Sequence, residues 1–329
     1  MTTKVLLDCD TGCDDTLAIL YAALHPNIEL VGIGAVWGNV TADIAARNSA
    51  HTVAMLGKSH IPVAKGAEGP ITGRPAEFAY HVHGDDGQGT VGDKKFVARL
   101  AAESAAAQIV RLTRADPGEI ELIAVGPMTN IALALALEPE LPRLVRGITI
   151  MGGAALAPGN VTPAAEANIW CDPEAAAAVF NAPWRLRMVG LDVTMRTLLT
   201  EADRQQLLNS DGSIARYVGR MLDFYFAFFT QNAFGERSSC MHDALAVAIG
   251  ADILVPTLAP KVSVVVDTSD GPARGQTICD LRGQYRGYPE QDGAHCEVIL
   301  ESDPGFARHV VAAVCAAGNS ALTDGVSAL

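Results

Sequence analysis

Short apolar runs rich in β-branched residues alternate along the chain with longer stretches in which alanine and leucine recur at helical spacing. Residues 5–7, 29–36, 61–64, 120–125, 148–151 and 187–191 predict strands. Residues 14–24, 42–56, 102–114, 129–137, 173–180 and 201–209 predict the helices between them. This strand-then-helix repetition predicts an α/β fold, an open, doubly wound and mostly parallel central sheet with helices on both faces. Ligands bind beyond the carboxyl ends of such strands. The Gly- and Pro-rich segment 66–93 is too long for a simple connection and is expected to fold over the site. From about residue 213 the pattern changes to a long aromatic helical stretch, "YVGRMLDFYFAFFTQNAFG". Strand signals near 262–266 and 295–300 then predict a hairpin-like addition, and a terminal helix comes after Pro304. No linker, repeat or low-complexity block interrupts residues 1–329, so a single domain is expected.

Polar residues gather where the predicted strands end. "DCDTGCDD" (8–15) succeeds the first strand, Trp37-Gly38-Asn39 the second, "VGPMTN" the fourth and "MGGAALAPGNVTPAAEANIWCDP" the fifth. Loops rich in Asp, Asn and Glu converging on one sheet edge point to a binding site. The crowding of Asp8, Asp10, Asp14 and Asp15 is repulsive unless a cation sits among them, and a hard divalent ion suits carboxylates best. Far along the chain, "CMHDALAVAIG" places His242 and Asp243 at the start of an apolar helix, where Asp243 could equally be a cap.

Charge and cysteine content narrow the ligand. With 24 Lys+Arg against 37 Asp+Glu the formal charge is -13, which disfavours nucleic acid and does nothing to attract phosphate. The 49% hydrophobic content supports a sizeable core. Seven scattered cysteines without paired spacing read as reduced thiols, and neither a leader-like N-terminus nor a spanning apolar stretch occurs, so no membrane partner and a cytoplasmic location are expected.

"LLDCDTGCDDTLAIL", "WGN", "GPMTNIALAL", "MGGA…GNVTPAAEANIWCDPEAA" and "MHDALAVA", in that order, resemble the nucleoside hydrolase family, the inosine-uridine nucleoside N-ribohydrolases. The resemblance implies calcium-dependent cleavage of the N-glycosidic bond of purine or pyrimidine ribonucleosides by a homodimer or homotetramer. It implies Asp10, Asp15, Asp243 and the Val125 carbonyl as ligands of Ca2+, with Asp10 activating a calcium-bound water and Asp14 on the ribose diol. Asn39, Asn160, Glu166 and Asn168 match ribose-binding positions, and Met151 one beside the sugar. His242 matches a proton donor to the departing base, and His83 a second base-side histidine. Ala167 stands where the family often has an aromatic residue. Asp8 is expected only to orient a ligand, and among Phe224, Tyr225, Phe228 and Phe229 one could stack on the base while the rest form core. A phosphotransferase of the haloacid dehalogenase type would need Asp8 as nucleophile and later Lys and Asp motifs without clear counterparts here. A non-catalytic nucleoside or pentose binder would share the same residues.

Overall fold

In the computed structural model, which describes residues 2–320, β1 (Thr3–Cys9) lies near the middle of an eight-stranded sheet. On one side lie β2 (Ile28–Ala35) and β3 (Val63–Lys65); on the other lie β4 (Ile120–Ala124), β5 (Gly147–Met151) and β6 (Leu186–Val189). An antiparallel pair, β7 (Leu198–Thr200) with β8 (Ser238–Cys240), stands outside this sheet. After β9 (Lys261–Val262), the strands β10 (Val264–Val266) and β11 (Thr277–Cys279) make a second small pair, and β12 (Cys296–Val298) returns to the main sheet. The sheet order is β3-β2-β1-β4-β5-β6-β12-β9, parallel throughout except where β9 runs against β12. The predicted parallel α/β architecture is therefore present.

Side-chain alternation along β1 serves two cores. Val5, Leu7 and Cys9 enter a cluster with the helices Cys13–Leu24, Ser213–Phe229, Asp243–Gly250 and Phe306–Ser320. Leu6 faces the opposite cluster with the helices Ala105–Ala115, Thr129–Leu137 and Pro173–Asn181. Burial on both faces explains why the central strands read as continuous apolar runs. Strand order reverses between β1 and β4, so the loops leaving these neighbours diverge and open a crevice at their carboxyl ends.

Several boundaries differ from expectation. Gly190 ends β6 and caps the short helix Leu191–Thr194, so Leu191 is not strand. Segment 262–266 is two strands: Ser263 donates its N–H to Gln291 Oε1 and accepts from Asp280 N, which diverts β10 from β12 to β11. The hairpin-like addition is thus β9 against β12, with β12 also parallel to β6. The helix expected at 102–114 begins later, where Ser104 Oγ caps Ala107 N. The aromatic helix ends at Phe229 in a wider turn, Thr230–Phe234. Segment 66–93 includes the one-turn helix Tyr80–His83. All seven cysteines are free, and among the described residues no helix is long and apolar enough to cross a membrane.

The edge of the parallel sheet is tied by Arg187 on β6, 8% exposed. Its guanidinium donates to Ile249 O (2.7 Å), Asp252 Oδ1 (2.6 Å) and Glu297 Oε2 (3.2 Å). Arg187→Met strands a buried carbonyl, while the two carboxylates stay partly hydrated, so the loss should be about 2 kcal/mol. Denaturant melting should register it, with nucleoside affinity unchanged; an unshifted midpoint would show that the arginine is not a structural tie.

Candidate active site

Acidic groups at the site are placed by one strand end and two helix starts. Past β1 the chain runs through Asp10 and Gly12 into the helix Cys13–Leu24, whose first turn carries Asp14 and Asp15. Asp15 closes this turn on itself: Oδ2 accepts the Gly12 N–H (2.8 Å) and Oδ1 the Asp10 N–H (3.1 Å). Asn39, from the loop after β2, clamps the pair. Its N–H donates to Asp10 Oδ2 (2.7 Å), and its Nδ2 donates to Asp10 Oδ1 (3.1 Å) and Asp15 Oδ2 (3.0 Å). Asp243 opens the helix Asp243–Gly250 from across the crevice. One carboxylate oxygen from each of Asp14, Asp15 and Asp243 lies within 4.8 Å of the others. Helix N-termini favour anionic residues, by roughly 0.3–1 kcal/mol each. That is far less than burying several like charges costs.

Asp10, Asp14, Asp15 and Asp243 are all buried, and among the described residues no lysine or arginine pairs with them. Burial, then the charge of Asp15, raises Asp10 well above the usual carboxylate range. Burial, then Asp14, pushes Asp15 up to about 7. Asp243 is raised by burial and by all its acidic neighbours. Asp14 is raised chiefly by burial, and its Oδ1 finds no hydrogen-bond donor. Oxygen-only donors, concentrated negative charge and an orphaned carboxylate oxygen fit a hard divalent cation.

Above this floor lies a cavity of about 460 Å³. Its polar wall includes Asn39, Asn160, Glu166, Asn168 and the Val125–Met151 strand ends. Glu166 caps the short helix Ala167–Cys171, accepting from Asn168 N (2.9 Å), Gly153 N (2.9 Å) and Ile169 N (3.2 Å). Burial nevertheless holds it up at about 7. Asn168 Nδ2 donates to the carbonyls of Val125 and Met151, both at 3.1 Å. Asn160 is exposed, and its Oδ1 accepts from Ala167 N (3.0 Å). The lining also carries apolar side chains, Val82, Met195, Phe228 and Phe229 among them.

Such a cavity, lined by carboxylates and amides together with aromatic side chains, suits a sugar joined to a heterocycle. The model of the family "Inosine-uridine preferring nucleoside hydrolase" matches residues 5–308. The chain belongs to the nucleoside hydrolase family. It is 35% identical over 305 residues to an inosine-uridine preferring nucleoside hydrolase of Crithidia fasciculata, covering 92% of this chain and 94% of that one. It is likewise 35% identical over 282 residues to a pyrimidine-specific ribonucleoside hydrolase of an Enterobacter strain, covering 85% and 88%. A purine-preferring ribonucleoside hydrolase from Gardnerella vaginalis superimposes with a TM-score of 0.88 at 33% identity, covering 97% and 100%. The protein is an N-glycosyl hydrolase of this family, not a phosphotransferase.

In this nucleoside hydrolase the sequence-nominated residues converge, in a distribution the sequence alone did not specify. Asp14, Asn39, His83, Val125, Met151, Asn160, Glu166, Asn168, His242 and Asp243 all line the cavity. Asp10 and Asp15 do not line it, and Asp14, where the resemblance implied Asp10, joins Asp15 and Asp243 in the close carboxylate group. Asp8 points away into the second core, where Asn130 Nδ2 donates to it (2.9 Å). Tyr225, hydrogen-bonded through its hydroxyl to Asp14 Oδ2 (3.0 Å), lines the cavity, whereas Phe224 does not. Gly12 gave no signal, yet a Cβ there would meet His83 Nδ1 at 2.4 Å. Met195, from a segment without a motif, was also missed.

The two histidines differ. His83 Nδ1 accepts the Cys13 N–H (3.1 Å), which puts the proton of the neutral ring on Nε2. Burial, then His81, lowers its pKa to about 3. Asp14 Oδ1 stands 3.8 Å from that Nδ1, but a nitrogen that accepts a hydrogen bond carries no proton to share with it. Burial also lowers His242, yet Asp14 opposes the shift, and its Nδ1 has no partner.

The raised carboxyls tie stability to pH. Asp15 and Glu166 titrate near 7 when folded and near 4 unfolded. They therefore contribute stability that is present below about pH 4 and lost as pH rises through about 7. Chelator-stripped protein should melt at a lower temperature at about pH 8 than at about pH 6, and added divalent cation should raise Tm most at the higher pH. A stripped protein whose Tm rises across that interval would contradict the buried-charge account.

Proposed function

We propose that the protein hydrolyses the N-glycosidic bond of ribonucleosides to ribose and free base, with Ca2+ as its metal. The observation that carries this reading is the meeting of Asp14, Asp15 and Asp243 at a cavity that Tyr225, Phe228 and Phe229 also line. Asp10, Asp15, Asp243 and the Val125 carbonyl would hold the ion, with Asp14 beside it. Bound there, calcium would supply positive charge and open coordination positions suited to a vicinal diol.

The chain's own groups supply the rest. Asp14, Asn39 and Asn168 bind the ribose hydroxyls and fix the sugar over the carboxylates, which favour positive charge as it develops on the anomeric carbon. Asp10, oriented through both oxygens by Asn39, takes the proton of the attacking water as the new C–O bond forms. The C–N bond breaks as His242 gives a proton to the departing base. His83, restricted to its neutral form, donates a hydrogen bond to that base. Asn160 and Glu166 take the 5′ end of the sugar. Relatives named for inosine-uridine, pyrimidine and purine preference support both base classes as candidate substrates.

The direct test is sugar release from inosine, adenosine, guanosine, uridine and cytidine in parallel; no release from any of them would refute the reading. Asp10→Asn should lower kcat by about 10²–10⁴ while raising KM much less, because the amide keeps an oxygen but cannot accept the proton. Near wild-type kcat in the metal-loaded variant would remove Asp10 as the base. Glu166 also excludes nucleotides, since a phosphate would set nearly two negative charges against a buried carboxyl with no basic residue in the 159–173 loop. Inosine or uridine should react while the matching 5′-monophosphate neither reacts nor inhibits strongly; equal specificity constants would misplace Glu166.

A further inference from the structure

His83 sits at the end of a single helical turn, Tyr80–His83, and one turn cannot hold a side chain in place by itself. The adjoining segment 84–92 is built to hold it. The chain turns at positive φ through Gly84, Gly87, Gly89 and Thr90, the last a non-glycine at 68°. Asp86, 1% exposed, organises these turns: Oδ1 accepts from Gln88 N (2.8 Å) and Thr90 N (3.0 Å), and Oδ2 from Gly92 N (2.9 Å). The Asp86 carbonyl accepts Asn48 Nδ2 (2.8 Å), which also donates to Thr11 O (3.1 Å) in the acidic loop. Gln88 is wholly buried; its Nε2 donates to Thr16 Oγ1 (3.0 Å) and its Oε1 accepts from the Tyr217 hydroxyl (2.8 Å). Gly89 N–H donates to the carbonyl of His83 itself (2.8 Å). A Cβ on Gly89 would meet Met221 O at 2.3 Å. Segment 84–92 is thus fastened to the helices Cys13–Leu24, Ala42–Met55 and Ser213–Phe229 by side chains that do not line the cavity.

We propose that Asp86 and Gln88 are positioning residues, a buried brace that fixes His83 against the departing base and makes segment 79–92 a rigid wall of the site. The proposal rests on the base-side reading of His83 given above. A carboxylate that organises three backbone N–H groups sets loop shape, and an error of about 1 Å in a contacting group costs up to about 10²-fold in rate.

The test compares a nucleoside with p-nitrophenyl riboside, whose phenolate departs without a proton and offers no base to recognise. Asp86→Asn turns one acceptor into a donor facing a backbone N–H. It should lower kcat/KM for uridine or inosine by about tenfold but for p-nitrophenyl riboside by less than about threefold. Combined with His83→Ala it should add little further loss, because the two changes remove one function. If Asp86→Asn impairs folding, Tyr217→Phe, which deletes one hydroxyl from the brace, should give the same substrate split at smaller amplitude. Equal losses on both substrates, or full additivity with His83→Ala, would overturn the brace alone. An unaltered substrate ratio in His83→Ala would overturn the base-side reading of His83 and the brace with it, while wild-type turnover left the hydrolase reading standing.

Discussion

Buried carboxylates that repel one another, with no lysine or arginine among the described residues paired to them, are the constraint around which this nucleoside hydrolase is arranged. Asp10, Asp14, Asp15 and Asp243 cannot be hydrated as they would be in the unfolded chain, and burial raises all four above the ordinary carboxylate range. Hydrogen bonds from Asn39, Gly12 N and the Asp10 N–H offset part of the cost. They do not remove it, because neutral donors do not cancel charge. The remainder is a standing affinity for positive charge.

Topology puts the charges together at little local strain. Strand order reverses beside β1, so the loops after β1 and β4 part and leave room for a ligand. Two helices begin at that opening, and their N-termini receive Asp14, Asp15 and Asp243 in first-turn positions where acids are favoured. Glu166 repeats the device: as a cap it is oriented by three backbone N–H groups while lining the cavity. Residues that shape local structure thus also supply the chemistry.

This double use explains what could be read from the sequence. The central strands were legible because burial on both faces leaves continuous apolar runs, and the acids after β1 because charge directly after such a run is costly without a purpose. Asp243 was ambiguous in the sequence, since capping and cation binding ask for the same residue type; in the structure His242 holds the cap position and Asp243, in the first turn, meets Asp14 and Asp15. Asp86 and Gln88 carried no signal because the Asp86 carboxylate binds backbone N–H groups of its own loop, while the Gln88 side chain binds hydroxyls on two distant helices. The division of 262–266 turns on one residue, Ser263, whose N–H and carbonyl are taken by Gln291 and Asp280. Periodicity has no means of seeing that.

In the proposed reading the sugar and base portions of the cavity are held differently, and this bears on how relatives can be named for different bases. At the sugar end, strand ends, helix starts and bonded carboxylates leave few ways to move one group without stranding another. At the base end, Phe228 and Phe229 close a helix that passes into the wider turn Thr230–Phe234, whose residues are none of them buried. Apolar contacts there are non-directional, and a side chain can change size at a cost of about 1–3 kcal/mol without leaving a charge unpaired. In the same reading His83 is the exception, a directional donor set in the wall that Asp86 and Gln88 are proposed to brace. On that proposal, variation in base preference is physically cheapest at Phe228, Phe229 and the turn beyond them, while the groups proposed to recognise the sugar stay fixed by their hydrogen bonds and by the buried charge around them.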